Sequence, residues 1–154
     1  MFIWNVKGLV QALKEESLSS KSQRYHKIIG ISLFAIVLLA YPLLFLTETF
    51  NILDIIDMIS FLVINLVGIY LAYKINQRGD GKEFVFRYFS LYLPLTIRFF
   101  VLVTVIMIVG YLILPYIDPS ISLNETNWFD LVTSVGTEIY FNVLMIKYIK
   151  MLNK

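Results

Sequence analysis

Acidic, amide and hydroxyl side chains share one face of the apolar segment that runs from Phe129 to Met151. Successive members are one, three or four positions apart, so a helix would align them. They are Asp130, Thr133, Ser134, Thr137, Glu138 and Asn142. Glu138 stands near the middle of the segment, where a charge in a bilayer costs roughly 3 kcal/mol. The spacing therefore predicts an intramembrane carboxyl group that is protonated, paired or hydrated.

Two other apolar segments offer partners for this carboxyl group. Asp57 and Asn65 lie on a polar, small-residue side of the second segment, and Asn65 is expected at the depth of Glu138. Arg98 enters the third segment, where its side chain either extends toward headgroups or reaches toward Asn142 and Glu138. The predicted intramembrane polar site comprises Glu138, Asn142, Asn65, Arg98, Asp57, Thr137 and Ser134. For the hydroxyl residues, bonding to their own helix backbone is the simpler interpretation.

The elements that position these residues are four apolar runs, each close to the roughly 20 residues that a bilayer core requires of a helix. They span about 28–46, 55–73, 94–114 and 129–151. Of the 154 residues, 58% are hydrophobic and 16% charged, and the mean hydropathy is +0.76. Such a composition predicts an all-α integral membrane protein, a bundle of four transmembrane helices.

Basic residues are confined to one predicted side of the membrane. All thirteen Lys and Arg residues fall in the N-terminal segment, between the second and third runs, just inside the third run, or at the C-terminal end. The two other loops, at about 47–54 and 115–127, carry only acids among their charged residues. By the positive-inside rule, both termini are expected in the cytoplasm. A bacterial inner membrane suits this pattern.

The N-terminal segment is expected to form a domain of its own, residues 1–22, ahead of a membrane domain at 23–154. Apolar residues recur at helical spacing between positions 2 and 16, which predicts an amphipathic helix lying in the interface with Trp4 as an anchor. A second surface segment is predicted from Lys82 to Leu93, before Pro94 starts or kinks the third span. In that region Lys82, Arg87 and Arg98 are candidates for contacts with anionic lipid headgroups.

Motifs for catalysis are not found in the sequence. There is no Cys, which excludes thiolate chemistry, and the single His, His26, is expected to be a solvated residue near the membrane. Neither a nucleophile elbow nor a zinc-binding His pair occurs. We therefore expect no enzyme activity, no cofactor, no metal site and no nucleic-acid partner.

Three functions remain open on the sequence alone. The first is an accessory, regulatory, assembly or immunity-type subunit that binds another integral membrane protein through the polar face of the fourth span. The second is an oligomeric proton- or ion-coupled transporter or channel that uses Glu138. The third is recognition of anionic lipids. The expected partners are the lipid bilayer and either another membrane protein or further copies of the same chain.

Overall fold

The structure, a computed structural model, describes residues 2, 4–41, 43, 50–119 and 125–153. Within these ranges the chain forms five α-helices and no strand. They are α1 (Val6–Lys14), α2 (Ser20–Ala40), α3 (Ile52–Arg78), α4 (Phe84–Ile117) and α5 (Trp128–Leu152). Four of them, α2 to α5, are long and apolar enough to cross a membrane. The all-helical architecture with four candidate spans is therefore confirmed.

The first and third spans differ from their predicted bounds. Helix α2 begins at Ser20, and the far end of the predicted span at 28–46, including Pro42 and residues 44–46, lies outside the described residues. Helix α4 begins at Phe84 and includes Pro94, so 82–93 does not form a separate surface segment. A proline inside a helix favours a break, because it lacks the N–H group of the backbone hydrogen bond. Leu91 and Leu95, on either side of Pro94, are buried, and their packing stabilises the continuous helix.

Helices α3 and α5 start with the same cap and run side by side. Asn51 and Asn127 each accept hydrogen bonds from the first turn, and an aspartate three residues later bonds back to the cap backbone. Asn51 Nδ2 donates to the Thr126 carbonyl at 2.9 Å, and at the other extremity Asn153 Nδ2 donates to the Ile75 carbonyl at 2.9 Å. The two helices are therefore parallel. We call the end near Asn51 the capped end and the opposite one the α1 end.

Glycines let the helix pairs approach closely. A Cβ atom on Gly68 would stand 1.8 Å from Asn142 Oδ1, so α3 and α5 meet there only because position 68 has no side chain. In the same way, a Cβ atom on Gly30 of α2 would stand 2.0 Å from the Phe89 carbonyl of α4. Small residues at such crossings allow close backbone contact between membrane helices.

The short helix α1 packs into the bundle at the α1 end. Its residues Val6, Leu9, Val10 and Leu13 are buried and join the core formed by α4 and α5. Trp4 contacts the Arg98 guanidinium, which lies 5.4 Å from its ring. The sequence predicted that this apolar face would lie in the interface, but most of it is covered by the protein itself. Ile3 lies outside the described residues.

Candidate functional site

Three polar side chains meet between the middles of α3 and α5. Asn65 Nδ2 donates to Glu138 Oε2 at 2.9 Å and to the Phe61 carbonyl at 2.9 Å. Asn142 Nδ2 donates to the Glu138 carbonyl at 3.0 Å and lies 3.4 Å from Asn65 Oδ1. The Glu138 carboxyl group is thereby held by an amide from the neighbouring helix, in the orientation that suits an acceptor.

A second polar group lies closer to the capped end. The Tyr41 hydroxyl donates to Asp57 Oδ2 at 2.9 Å and lies 3.3 Å from Ser134 Oγ, which joins α3 and α5 to the end of α2. The Tyr41 ring stacks on Phe61 with a centroid separation of 3.8 Å. Asp57 is only 6% exposed, and its Oδ1 atom has no hydrogen-bond partner among the described residues.

Both carboxyl groups line partly open cavities between the helices. One cavity of about 310 Å³, which we call the aromatic chamber, is lined by residues of all four candidate spans and has Glu138 in its wall. An adjacent cavity of about 340 Å³, the acidic chamber, contains Asp57, Asp130 and Glu138 in its wall. The two share four lining residues, which are Tyr41, Phe99, Val103 and Glu138. Glu138 thus stands where the two chambers adjoin.

Among the described residues, the acids of these chambers have no basic counterion. No Lys, Arg or His is among the described residues that line either chamber. A carboxylate taken out of water without a cationic partner is expensive, and the Asp57 Oδ1 atom lacks even a hydrogen-bond donor. Two states relieve this cost, namely protonation of the carboxyl groups or entry of a cation. The chambers are therefore suited to binding protons or other positively charged species.

The structure brings together most of the predicted site residues. Asn65, Asn142 and Glu138 are in contact, and Asp57 and Ser134 share Tyr41 as a neighbour. Thr137 lines the acidic chamber while its hydroxyl donates to the Thr133 carbonyl at 2.6 Å within its own helix. Arg98 does not join them. Its guanidinium bonds the Trp4 carbonyl, away from Glu138 and toward the α1 end.

The other basic candidates make contacts within the protein. The Arg87 guanidinium is buried and bonds both Asp80 and Asn76, which ties the α3–α4 turn together. Arg87 beside Asp80 lowers the pKa of that carboxyl group from 3.8 to about 2. Lys82 Nζ lies 2.9 Å from Glu16 Oε1 on an exposed surface, and this pairing raises the pKa of Lys82. Of the proposed lipid contacts, only Lys82 remains well exposed.

The prediction for His26 was wrong. The sequence placed it in solvent, but its side chain is fully buried, and its Nδ1 atom lies 2.8 Å from the Ser22 carbonyl. Helix α2 starts at Ser20 rather than near Ile28, so position 26 falls inside a packed helix. The residues around position 26 in the sequence are basic and polar, and for that reason the sequence indicated an exposed side chain.

Tyr41 and Phe99 are site residues that the sequence reasoning missed. Both are aromatic residues within or near apolar runs, and the sequence carries no signal that distinguishes them from the many other aromatic residues. The Asn-x-x-Asp pattern at both 51–54 and 127–130 was a usable signal, because it marks two helix starts at the same end of the bundle. No group of three or more potential metal ligands occurs among the described residues. In comparisons with known proteins, the chain matches no family model, no curated protein and no solved structure.

Proposed function

We propose that the protein is a membrane transporter or channel subunit that binds a proton or another cation at Glu138 and Asp57. The observation that carries this proposal is the pair of partly open chambers between the helices, which carboxyl groups line and in which no basic side chain is among the described lining residues. An intramembrane carboxyl group with access to a cavity is the usual device for binding cations in pumps and transporters.

The positions of the two chambers suggest the side of the membrane from which a cation reaches Glu138. The acidic chamber includes Thr126 and Asp130 at the capped end, and the aromatic chamber continues past Glu138 to Tyr92. Beyond Tyr92, buried side chains of α4, α5 and α1 fill the α1 end, among them Leu9 and Ile149. In a bacterial inner membrane with both termini in the cytoplasm, the capped end would face outward. A cation would then enter from outside, and its release inward would require movement at the α1 end.

The other two functions receive less support. An accessory role through the polar face of α5 requires that face to be free, but Asn142 and Thr137 are buried within the bundle. Recognition of anionic lipids through Arg87 conflicts with its burial and with its bonds to Asp80 and Asn76. Copurification of a stoichiometric partner, lost on substitution of Glu138, would reverse our preference for transport.

The test is cation flux in proteoliposomes. The purified protein is reconstituted, and proton, Na⁺ and K⁺ movement is followed under an imposed gradient. We expect flux for at least one of these ions, reduced at least about tenfold by Glu138→Gln, since the neutral side chain no longer attracts a cation. Glu125→Gln is the matched control, because Glu125 is an exposed acid outside both chambers. Absence of flux for all three ions, or equal flux in the two variants, would contradict the proposal.

A further inference from the structure

The wall of the aromatic chamber is rich in aromatic rings, and binding of a proton does not require such rings. Six of its lining residues are aromatic, and they come from α3, α4, α5 and the residue that caps α2: Phe61, Tyr92, Phe99, Phe100, Phe141 and Tyr41. Several of these rings are fixed by neighbours. Phe141 makes edge contacts with Tyr92 and Phe99 at centroid distances of 5.5 and 5.3 Å, and Tyr41 stacks on Phe61. The wall is therefore mostly apolar and rich in π electrons.

A bare proton or an alkali cation does not need such a wall. An alkali ion is held by several oxygen ligands, and the acidic chamber offers such groups, whereas the aromatic chamber offers one carboxyl group in a lining that is mostly aromatic. Aromatic faces attract organic cations, and the attraction is strongest when water is excluded. A volume of about 310 Å³ lies at the lower end of small-molecule sites, which begin at roughly 300 Å³.

We infer that the aromatic chamber binds a small organic monocation whose apolar body packs on the rings while its positive centre lies beside Glu138. A second observation is that the Oδ1 atom of the buried Asp57, in the adjoining chamber, has no hydrogen-bond partner among the described residues, so a cation there would also satisfy this oxygen. Quaternary and tertiary ammonium compounds with one aromatic ring have the required size and charge. This inference rests on the proposed function and names the class of its ligand.

Two probes of nearly identical shape separate charge from hydrophobicity. Benzyltrimethylammonium and neopentylbenzene differ only in that a quaternary nitrogen replaces a quaternary carbon. Binding of each is measured by equilibrium dialysis on the full chain in mild detergent, with protein-free micelles as the blank. We expect the cation to bind at least about tenfold more tightly to the wild type than to Glu138→Gln, with neopentylbenzene affected less than about twofold.

A second pair of variants tests the rings. Phe99→Leu keeps an apolar side chain but removes one aromatic face, so cation binding should weaken by about threefold or more. Phe84→Leu is the control, because Phe84 packs against Tyr73 and Tyr88 outside both chambers. Melting temperatures of all variants confirm that the compared proteins are folded.

The outcomes distinguish the inference from the proposed function. If the two probes bind equally, or if Glu138→Gln leaves the preference for the cation unchanged, the inference is wrong, and Glu138-dependent ion flux would still stand. If the cation binds through Glu138 and Phe99 but no ion flux is found, the ligand site is established and the transport proposal fails.

Discussion

Asn65 Nδ2 lies 2.9 Å from Glu138 Oε2, and this contact joins the centre of α3 to the centre of α5. The same two helices also make a close contact at Gly68 and Asn142, one turn nearer the α1 end. Among the described residues, Glu138 accepts a side-chain hydrogen bond on one oxygen only, from Asn65, and it adjoins two chambers, which is the arrangement expected of a binding site.

Neutralising the chamber acids should not destabilise the fold. Glu138→Gln retains an oxygen that accepts from Asn65, and Asp57→Asn retains one for Tyr41, while both remove a desolvated charge. We expect thermal melts in detergent to give unchanged or higher melting temperatures. Asn65→Leu is the contrasting variant and should cost about 1–3 kcal/mol, because it leaves Glu138 without its donor. Destabilisation by Glu138→Gln as large as that of Asn65→Leu would identify Glu138 as a structural residue.

Packing of α3 against α5 depends on the missing side chain at Gly68. Gly68→Ala should lower stability by about 1–3 kcal/mol, since the new Cβ atom collides with Asn142 Oδ1. The double variant Gly68→Ala with Asn142→Ala should recover part of this loss, which unfolding in denaturant would measure as a coupling energy.

Gly136→Ala is the matched control for that experiment. A Cβ atom at position 136, also inside a helix, would meet nothing within 4 Å. Its expected effect is a gain of up to about 1 kcal/mol from helix propensity. Equal losses at positions 68 and 136 would mean that the two helices do not cross as described.

The Asp80–Arg87 pair should make stability depend on acidic pH. The folded-state pKa of Asp80 is about 2, below its ordinary value of 3.8, so its stabilising contribution is complete above pH 3.8 and disappears as the pH falls toward 2. Melting temperatures of the wild type and Asp80→Asn should therefore differ at neutral pH and converge over that window. Glu83→Gln, at the same turn, should match the wild type throughout. A difference that persists at pH 2 would contradict the ion pair.

Because the sequence contains no Cys, single introduced cysteines can report which side of the membrane each end of the bundle faces. Single cysteines replace Gln77 at the α1 end and Glu125 at the capped end, both at exposed positions. A membrane-impermeant maleimide applied to intact cells should label Glu125→Cys, and Gln77→Cys only after permeabilisation, as the distribution of basic residues predicts. The reverse pattern would place the opening of the acidic chamber on the cytoplasmic side.

The sequence predicted the four spans because hydrophobic length is a direct requirement of the bilayer core. It also predicted that Asn65 lies at the depth of Glu138, since helical rise is constant. Other features depend on tertiary packing. Pro94 remains within α4, and the apolar face of α1 is covered by the bundle, because neighbouring side chains outweigh local preference. The chambers could not be predicted, since voids depend on how four helices fit together.

Reaction of Glu138 with dicyclohexylcarbodiimide tests the central claim most directly. This apolar reagent modifies protonated carboxyl groups in apolar surroundings, and mass spectrometry of the full chain locates the adduct. We predict modification at Glu138, none at the exposed Glu125, and slower modification when benzyltrimethylammonium, Na⁺ or K⁺ is added. Failure of the reagent to modify Glu138, or a rate that none of these cations changes, would contradict a cation site at this residue.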